Sequence, residues 1–485
     1  MFAKRECEEK QEEFWIERAR VSKPPSQEFY SKLNEHLVAM DFARQVWALC
    51  EPAYREESRG GRPGIDPVVY FKMLMVGFFE NLRSERAIAT RCEDSLSVRA
   101  FLGYSLEERT PDHSSLSVIR QRLGPEIYQG VSEVVLTALK AHGLLKGRHL
   151  GIDSSVIEAN ASLRTLVHRN TEKAYWQYVK ELAEKEGVDP QDEAAVRRFD
   201  KKRAGRKTSN DEWKNPHDPE AKVGRTKDGA CDMIYKPEHV TDLESGAIIQ
   251  AEVLEGDHAD TKELSERVAS AVEVVNRIVA KEQDALVRSL TADKGYFAVE
   301  EIARIQEFDI RTVIGDANAE RRRKEGLATP LRKALHRAAC AVKSQSGKAL
   351  LRQRGMHLER SFEHVLDEGG MRRATLRGKE NLSKRHKIAA ACFNLSLLLR
   401  TLLGVGTPKQ WAAGTYSLLM ALFATFSGQH GGFAPFAPKR RLLSPLFISS
   451  SESQTLNEKT GFFNSLLERG IQSLSRSSRQ RSLLP

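Results

Sequence analysis

Three acidic positions carry the chemistry this chain could perform. Asp153 falls within RHLGIDSSVIEA, a stretch that alternates and is rich in Val and Ile, so it reads as a buried strand. A charge there is costly unless a cation or hydrogen bonds compensate it. Asp293 ends a second apolar run, ALVRSLTAD, at a turn marked by Gly295. Glu359 lies on a predicted helix, LERSFEHVLDEGG, and Glu363 follows one turn later on the same face, so spacing alone does not choose between them. Carboxylates brought together from separate elements are the oxygen donors that Mg²⁺ prefers. Two such ions, roughly 3.5–4 Å apart, can serve both the attacking and the leaving oxygen of a phosphodiester. For any single Asp or Glu an ordinary surface carboxylate is the default, and Asp153 departs from it through its apolar strand.

The elements that would position these acids follow from the apolar pattern. After the strand at 148 comes DMIYKPEHVTDLESGAIIQAEVLEG, two strands around the turn DLESG. Leu264, Val268, Val272, Val275 and Val279 recur at helical spacing and predict a helix of about five turns. The strand ending at Asp293 follows, then a helix through Ile302 and Ile305 and a fifth strand, IRTVIG. Periodicity gives a mixed α/β domain over 146–400. Residues 166–228 break the pattern with a short amphipathic helix (Tyr175, Val179, Leu182) and the polar run FDKKRAGRKTSNDEW, so they read as an insertion or mobile segment contributing few core residues. Residues 1–145 read as an all-α N-terminal domain, with helical spacing over 28–50 and 66–82. Asp66 is a candidate N-cap before Pro67, SERAIATRC and SLSVRAFL follow, and TPDHSSLSVIRQRLG starts another helix with Arg120 and Arg122 expected exposed. This pattern fits either a helix-turn-helix arrangement or a plain helical bundle. An apolar helix, KIAAACFNLSLLLRTLL, follows Gly378 and closes the core, and 401–485 reads as a partly flexible tail.

Composition narrows the partners. A formal net charge of +10 and a pI near 9.2 favour a polyanion, because Lys and Arg that neutralise phosphates release condensed counterions. Between 321 and 360 twelve Lys or Arg face only Glu325 and Glu359, which marks a candidate phosphate-facing surface. The six cysteines form no C-x-x-C pair, so structural zinc is not expected. No signal-peptide pattern is read at the N-terminus, and LLMALFATF at 418–426 is too short to span a bilayer, so a cytoplasmic protein without membrane association is expected.

Several blocks resemble the DDE transposases of bacterial insertion sequences: GRPGIDP, NLRSERAIATRCEDSLSVRAFLG, TPDHSSLSVIRQR, GIDSSVIEANAS, YKPEHVTDLESG, ADKGY, and LERSFEHVLDEGGMRRATLRGKENLSKRH continuing to GVGTP. They cover roughly residues 55–410. The resemblance implies a ribonuclease H-like catalytic domain with an insertion, Mg²⁺ (or Mn²⁺) as cofactor, and Asp153, Asp293 and Glu359 as the metal-binding catalytic acids, with Glu363 a fallback. It implies an enzyme that binds terminal inverted repeats, exposes a 3′-hydroxyl at each end and attacks target DNA with it, as a homodimer on DNA. A structure-selective nuclease of the same fold and an inactive DNA-binding remnant are the alternatives. Many relatives place Tyr, Arg and Lys at fixed offsets from the Glu, where this chain has Arg352, Gly355 and Leu366. Arg354, Arg372 and Arg373 are then candidates for phosphate contact, with Arg62, Arg86, Arg120 and Arg122 in the helical part. Arg59 is a weaker minor-groove candidate, Lys294 and Tyr296 could touch DNA beside Asp293, and His239 and His258 are read chiefly as structural histidines.

Overall fold

Two arms of sheet meet on one long strand. In this computed structural model the described residues are 24–55, 64–203, 210–226, 228–279, 287–319 and 328–414. Strand β1 (His149–Ser154) is followed by short β2 (Ile157–Glu158), β3 (Val167–His168), β4 (Trp213–Lys214) and β5 (Lys222–Arg225), then by long β6 (Cys231–Asp242), β7 (Ile248–Glu255), β8 (Ser289–Ala292) and β9 (Arg311–Ile314). β6 pairs antiparallel with β1 and β2 along one edge and with β7 and β5 along the other. Beyond β1 the sheet continues parallel through β8 to β9. The hairpin predicted around DLESG forms β6 and β7; Gly246 closes it at φ +79°, where any Cβ would meet the His357 ring at 2.5 Å.

Helices cover both faces. Leu150, Ile152, Leu290 and Ala292 pack against α10 (Leu264–Val279) and α11 (Val299–Glu307), numbered after the two helices of the insertion. α12 (Thr329–Lys343) lies along the β9 edge, with Ala338 in the α10–α11 core and Ala341 on the other side, and the opposite face receives α13 (Gln345–Phe362), whose buried side includes Leu350, Leu358 and Phe362. The N-terminal helices are α1 (Pro25–Ala39), α2 (Phe42–Arg55), α3 (Pro67–Phe79), α4 (Glu85–Asp94), α5 (Leu96–Leu102), α6 (His113–Arg122) and α7 (Pro125–Ala141). The helical spacing over 28–50 is divided between α1 and α2, with Asp41 at φ 53° in the turn between them. Asp66 caps α3 by accepting from the Val68 amide, as expected.

The long helix α14 (Lys379–Leu403) ties these parts together. Ile388, Ala391, Cys392, Leu395 and Leu399 enter the N-terminal helical core, while Leu382, Ala389, Ala390 and Phe393 enter the core beneath β6 and β7. Lys379–Gly414 is long and apolar enough to cross a membrane, but much of it is buried among these helices and strands, as in a core helix.

The insertion is more ordered than its polarity predicts. It carries α8 (Tyr175–Lys185) and α9 (Glu193–Lys202), which share a small core of Val179, Ala183 and Val196. Leu166, Trp213 and Ala221 also join the core beneath β6. The sequence reading missed α9 because, in EAAVRRFDKK, Val196 and Phe199 are the only large apolar residues. Of the polar run FDKKRAGRKTSNDEW, residues 204–209 lie outside the described residues, as does the chain beyond 414.

Candidate active site

Asp153 and Asp293 sit at matching levels of neighbouring parallel strands. Gly151 of β1 pairs with Thr291 of β8, and each acid follows two residues later on its strand. Because Leu150 and Ile152 face the α10 side, Gly151 and Asp153 face α13. Gly151 is needed there: a Cβ would lie 2.5 Å from a Leu243 methyl and 3.2 Å from a Leu358 methyl, so the missing side chain lets α13 approach the strand.

That approach brings Arg354 of α13 onto Asp153, with Nη2 donating to Oδ2 at 2.7 Å. Asp153 Oδ1 also accepts from the Ser154 amide at 2.9 Å. Burial nevertheless pushes the Asp153 carboxyl above its usual range; Arg354 and the Ser154 amide pull it down, and the charges of Asp293 and Asp260 push it up. Asp293 is exposed and fastens its own turn by accepting from the Gly295 amide at 2.7 Å.

Asp260 is the acid that the sequence reading passed over. It accepts from Ser154 Oγ at 3.0 Å and pairs with Lys236 at 2.5 Å, which places it next to Asp153 from the loop between β7 and α10. A Cβ on Gly295 would lie 3.0 Å from Asp293 Oδ1 and 3.3 Å from Asp260 Oδ2, so both carboxylates border that glycine. Nothing in GDHADTKEL marked Asp260 beyond its place after a strand. Behind it, buried Glu238 pairs with Arg267 at 2.8 Å and accepts from Tyr296 at 3.0 Å. Tyr296 is thereby a buried structural aromatic, while Lys294 stays exposed. His258 is half-buried beside Arg267, 3.1 Å away.

Glu359 follows directly on Leu358, the residue packed against Gly151, and its side chain is exposed. Glu363 is also exposed and opens a π-helical turn, Glu363–Glu368, in which the Gly369 amide reaches His364 O at 2.8 Å. Such turns often accompany functional positions in a helix. Glu363 itself keeps α-helical angles and its amide bonds back to Glu359 O, so it lies one regular turn below Glu359 and the wider winding begins after it.

The donor chemistry fits a hard divalent cation in part. Asp153 and Asp293 are carboxylates on adjacent strand ends, and the crowding of negative charge around Asp153 is what a cation would relieve. Among the described residues no group of three His, Cys, Asp or Glu side chains is gathered closely enough to hold a metal ion.

The candidate DNA-contacting arginines divide by environment. Arg86 is exposed, and Arg373 is 78% exposed with Glu158 at 3.9 Å. Arg372 instead grips Asp367 with two bonds, at 2.8 and 2.7 Å, and donates to Ser155 and Val156. Arg120, expected exposed, is buried and binds Glu85, Asn381 and Ser117; Arg122, also expected exposed, is half-buried over the Tyr54 ring at 4.7 Å. Helical spacing put these two arginines on a surface that α14 and α2 in fact cover. Arg59, Arg62 and residues 321–327 of the basic stretch lie outside the described residues.

Residues 18–122, which span the helices from α1 to α6, match the family described as Transposase domain (DUF772). No curated protein matches the chain in sequence. Among solved structures, the Mos1 transposase paired-end complex with left transposon end is 10% identical, with 64% of this chain and 82% of that chain covered at a TM-score of 0.18. A pre-cleavage Mos1 transpososome is 11% identical over the same shares, at a TM-score of 0.19. Similarity to a transposase domain is therefore carried by residues 18–122, the helical layer from α1 to α6.

Proposed function

We propose that this chain is a DDE transposase with a ribonuclease H-like catalytic domain over 146–400, acting as a homodimer on paired element ends in the bacterial cytoplasm. The observation that carries the reading is the placement of Asp153 and Asp293 at one level of adjacent parallel strands, facing the helix that bears Glu359. The strand order β7-β6-β1-β8-β9, with the first two connections antiparallel and the last two parallel, supports the same fold. The transposase domain over 18–122 supports the DNA substrate and leaves terminal-repeat recognition to the N-terminal helices.

Asp153 and Asp293 would hold the catalytic ions, with Glu359 as third ligand from α13. Bound Mg²⁺ or Mn²⁺ supplies charge stabilisation and an activated oxygen nucleophile at the phosphodiester. Arg354 keeps the Asp153 carboxylate turned toward α13, and Lys236 and Ser154 hold Asp260 beside it. Arg373 and Lys294, both exposed, would meet phosphate oxygens.

The test is a cleavage and strand-transfer assay on DNA carrying the element's own ends, with Mg²⁺, Mn²⁺ or EDTA. The expected result is metal-dependent joining in the wild type and its loss in Asp153→Ala, Asp293→Ala and Glu359→Gln. Cleavage without joining would replace the transposase with a structure-selective nuclease. End binding without either reaction would leave a DNA-binding remnant.

A further inference from the structure

Two histidines far apart in sequence meet in the core directly beside Asp153. His239 of β6 is the register partner of Asp153 across the β1–β6 ladder, so both side chains project toward α13. His239 is completely buried and stacks on Phe362 at 4.3 Å. Its Nε2 lies 2.9 Å from Nε2 of His386, a buried residue of α14, and its Nδ1 lies 2.8 Å from Ser361 Oγ. Ser361 in turn donates its hydroxyl to Leu358 O at 2.8 Å.

The proton positions follow from this chain of contacts. With the Ser361 proton committed to Leu358, Ser361 Oγ must accept, so His239 carries its proton on Nδ1. His239 Nε2 is then an acceptor, and His386 must donate from Nε2. This leaves only the Nδ1 lone pair of His386 without a partner, and His386 Nδ1 is indeed a buried nitrogen without a hydrogen-bond partner. The opposite assignment would strand a buried N–H and forfeit the bond to Ser361, a costlier arrangement. Both rings stay neutral, as burial holds them well below the usual histidine range.

The chain ends on the helical turn that bears the third acid, since Leu358 and Ser361 flank Glu359. We propose that His386, His239 and Ser361 are positioning residues for Glu359: their hydrogen-bond chain pins the Leu358–Phe362 turn to β6 and so fixes how far Glu359 stands from the strand acids. This rests on the proposed role of Glu359 as a metal ligand.

The experiment is Mn²⁺ binding to the full-length protein, followed by the paramagnetic resonance of free Mn²⁺, with thermal melting and mobility-shift binding of element ends in EDTA alongside. His386→Phe keeps the ring bulk without a donor, His386→Gln restores an N–H, and Ser361→Ala removes the acceptor with the least change of shape. Loss of an interaction that orients a metal ligand typically weakens the metal about 10–100-fold. His386→Phe and Ser361→Ala should therefore weaken Mn²⁺ binding at least about tenfold while end binding stays within about twofold, and His386→Gln should recover most of the loss. Because the chain acts through Glu359, adding His386→Phe to Glu359→Gln should weaken Mn²⁺ no further than Glu359→Gln alone. Wild-type Mn²⁺ affinity in Ser361→Ala, or additive losses in the double variant, would overturn the proposal. Should His386→Phe fail to fold, Ser361→Ala decides it. If Glu359→Gln itself binds Mn²⁺ like the wild type, the Glu359 assignment falls instead, and the positioning proposal falls with it.

Discussion

Asp153 and Arg354 are joined at 2.7 Å, yet burial still leaves the Asp153 carboxyl above its usual range. A carboxyl raised on folding adds stability below its unfolded-state value and loses it as pH rises through the folded-state value. Near neutrality the wild type therefore carries a penalty that a neutral amide does not. In EDTA, Asp153→Asn should melt higher than wild type at pH 7, with the difference closing toward pH 4. Melting curves across that range check it, and a wild type that melts higher at pH 7 would contradict it.

Gly151→Ala should destabilise by about 1–3 kcal/mol, the usual cost of overpacking. The added methyl meets Leu243 and Leu358, neither of which is backbone, so the fold can yield by moving α13 outward. Cleavage should then fall further than the melting temperature alone accounts for, because Glu359 moves with Leu358. Denaturant titration set beside single-turnover cleavage separates the two effects.

Arg120→Ala should cost about 1–3 kcal/mol, because buried Arg120 bonds half-buried Glu85, Asn381 and Ser117 at once. Arg86→Ala, on the exposed side of the same helical layer, should change stability by no more than about 0.5 kcal/mol. Equal losses in the two variants would show that the Arg120 network is not what holds α4, α6 and α14 together.

Arg373→Ala should leave melting unchanged and reduce the slope of log affinity for end DNA against log salt by about one, as expected for a lost phosphate contact. Arg372→Ala should instead lower the melting temperature, since its guanidinium ties Asp367 to the segment after β1. Binding measured at several salt concentrations distinguishes the two arginines.

Much of the architecture was written in local pattern. Alternation around Asp153, the DLESG turn and the helical spacing from Leu264 to Val279 each sufficed to place an element, because each buries one face against the same sheet. The pairing of β1 with β8, and hence the meeting of Asp153 and Asp293, was legible only through the family resemblance, since no spacing in sequence encodes which strands become neighbours. The residues missed share one physical character. Asp260 and His386 make their contacts with partners distant in sequence, Ser154 and His239, and a lone polar residue in an ordinary run carries no trace of those partners. Arg120 and Arg122 were misread for the converse reason: α14 and α2 supply the cover, and nothing in HSSLSVIRQR announces it.

Helix α14 has a bearing on the order in which the protein is made. The ribosome delivers the helical layer first, then the strands with Asp153 and Asp293, and only afterwards the segment that enters both cores. Until that segment emerges, the apolar faces awaiting it stay wet, and His386 is not yet present to complete the histidine pair. A chain ended anywhere before Gly378 thus leaves both the N-terminal helical core and the core beneath β6 and β7 without the side chains that fill them.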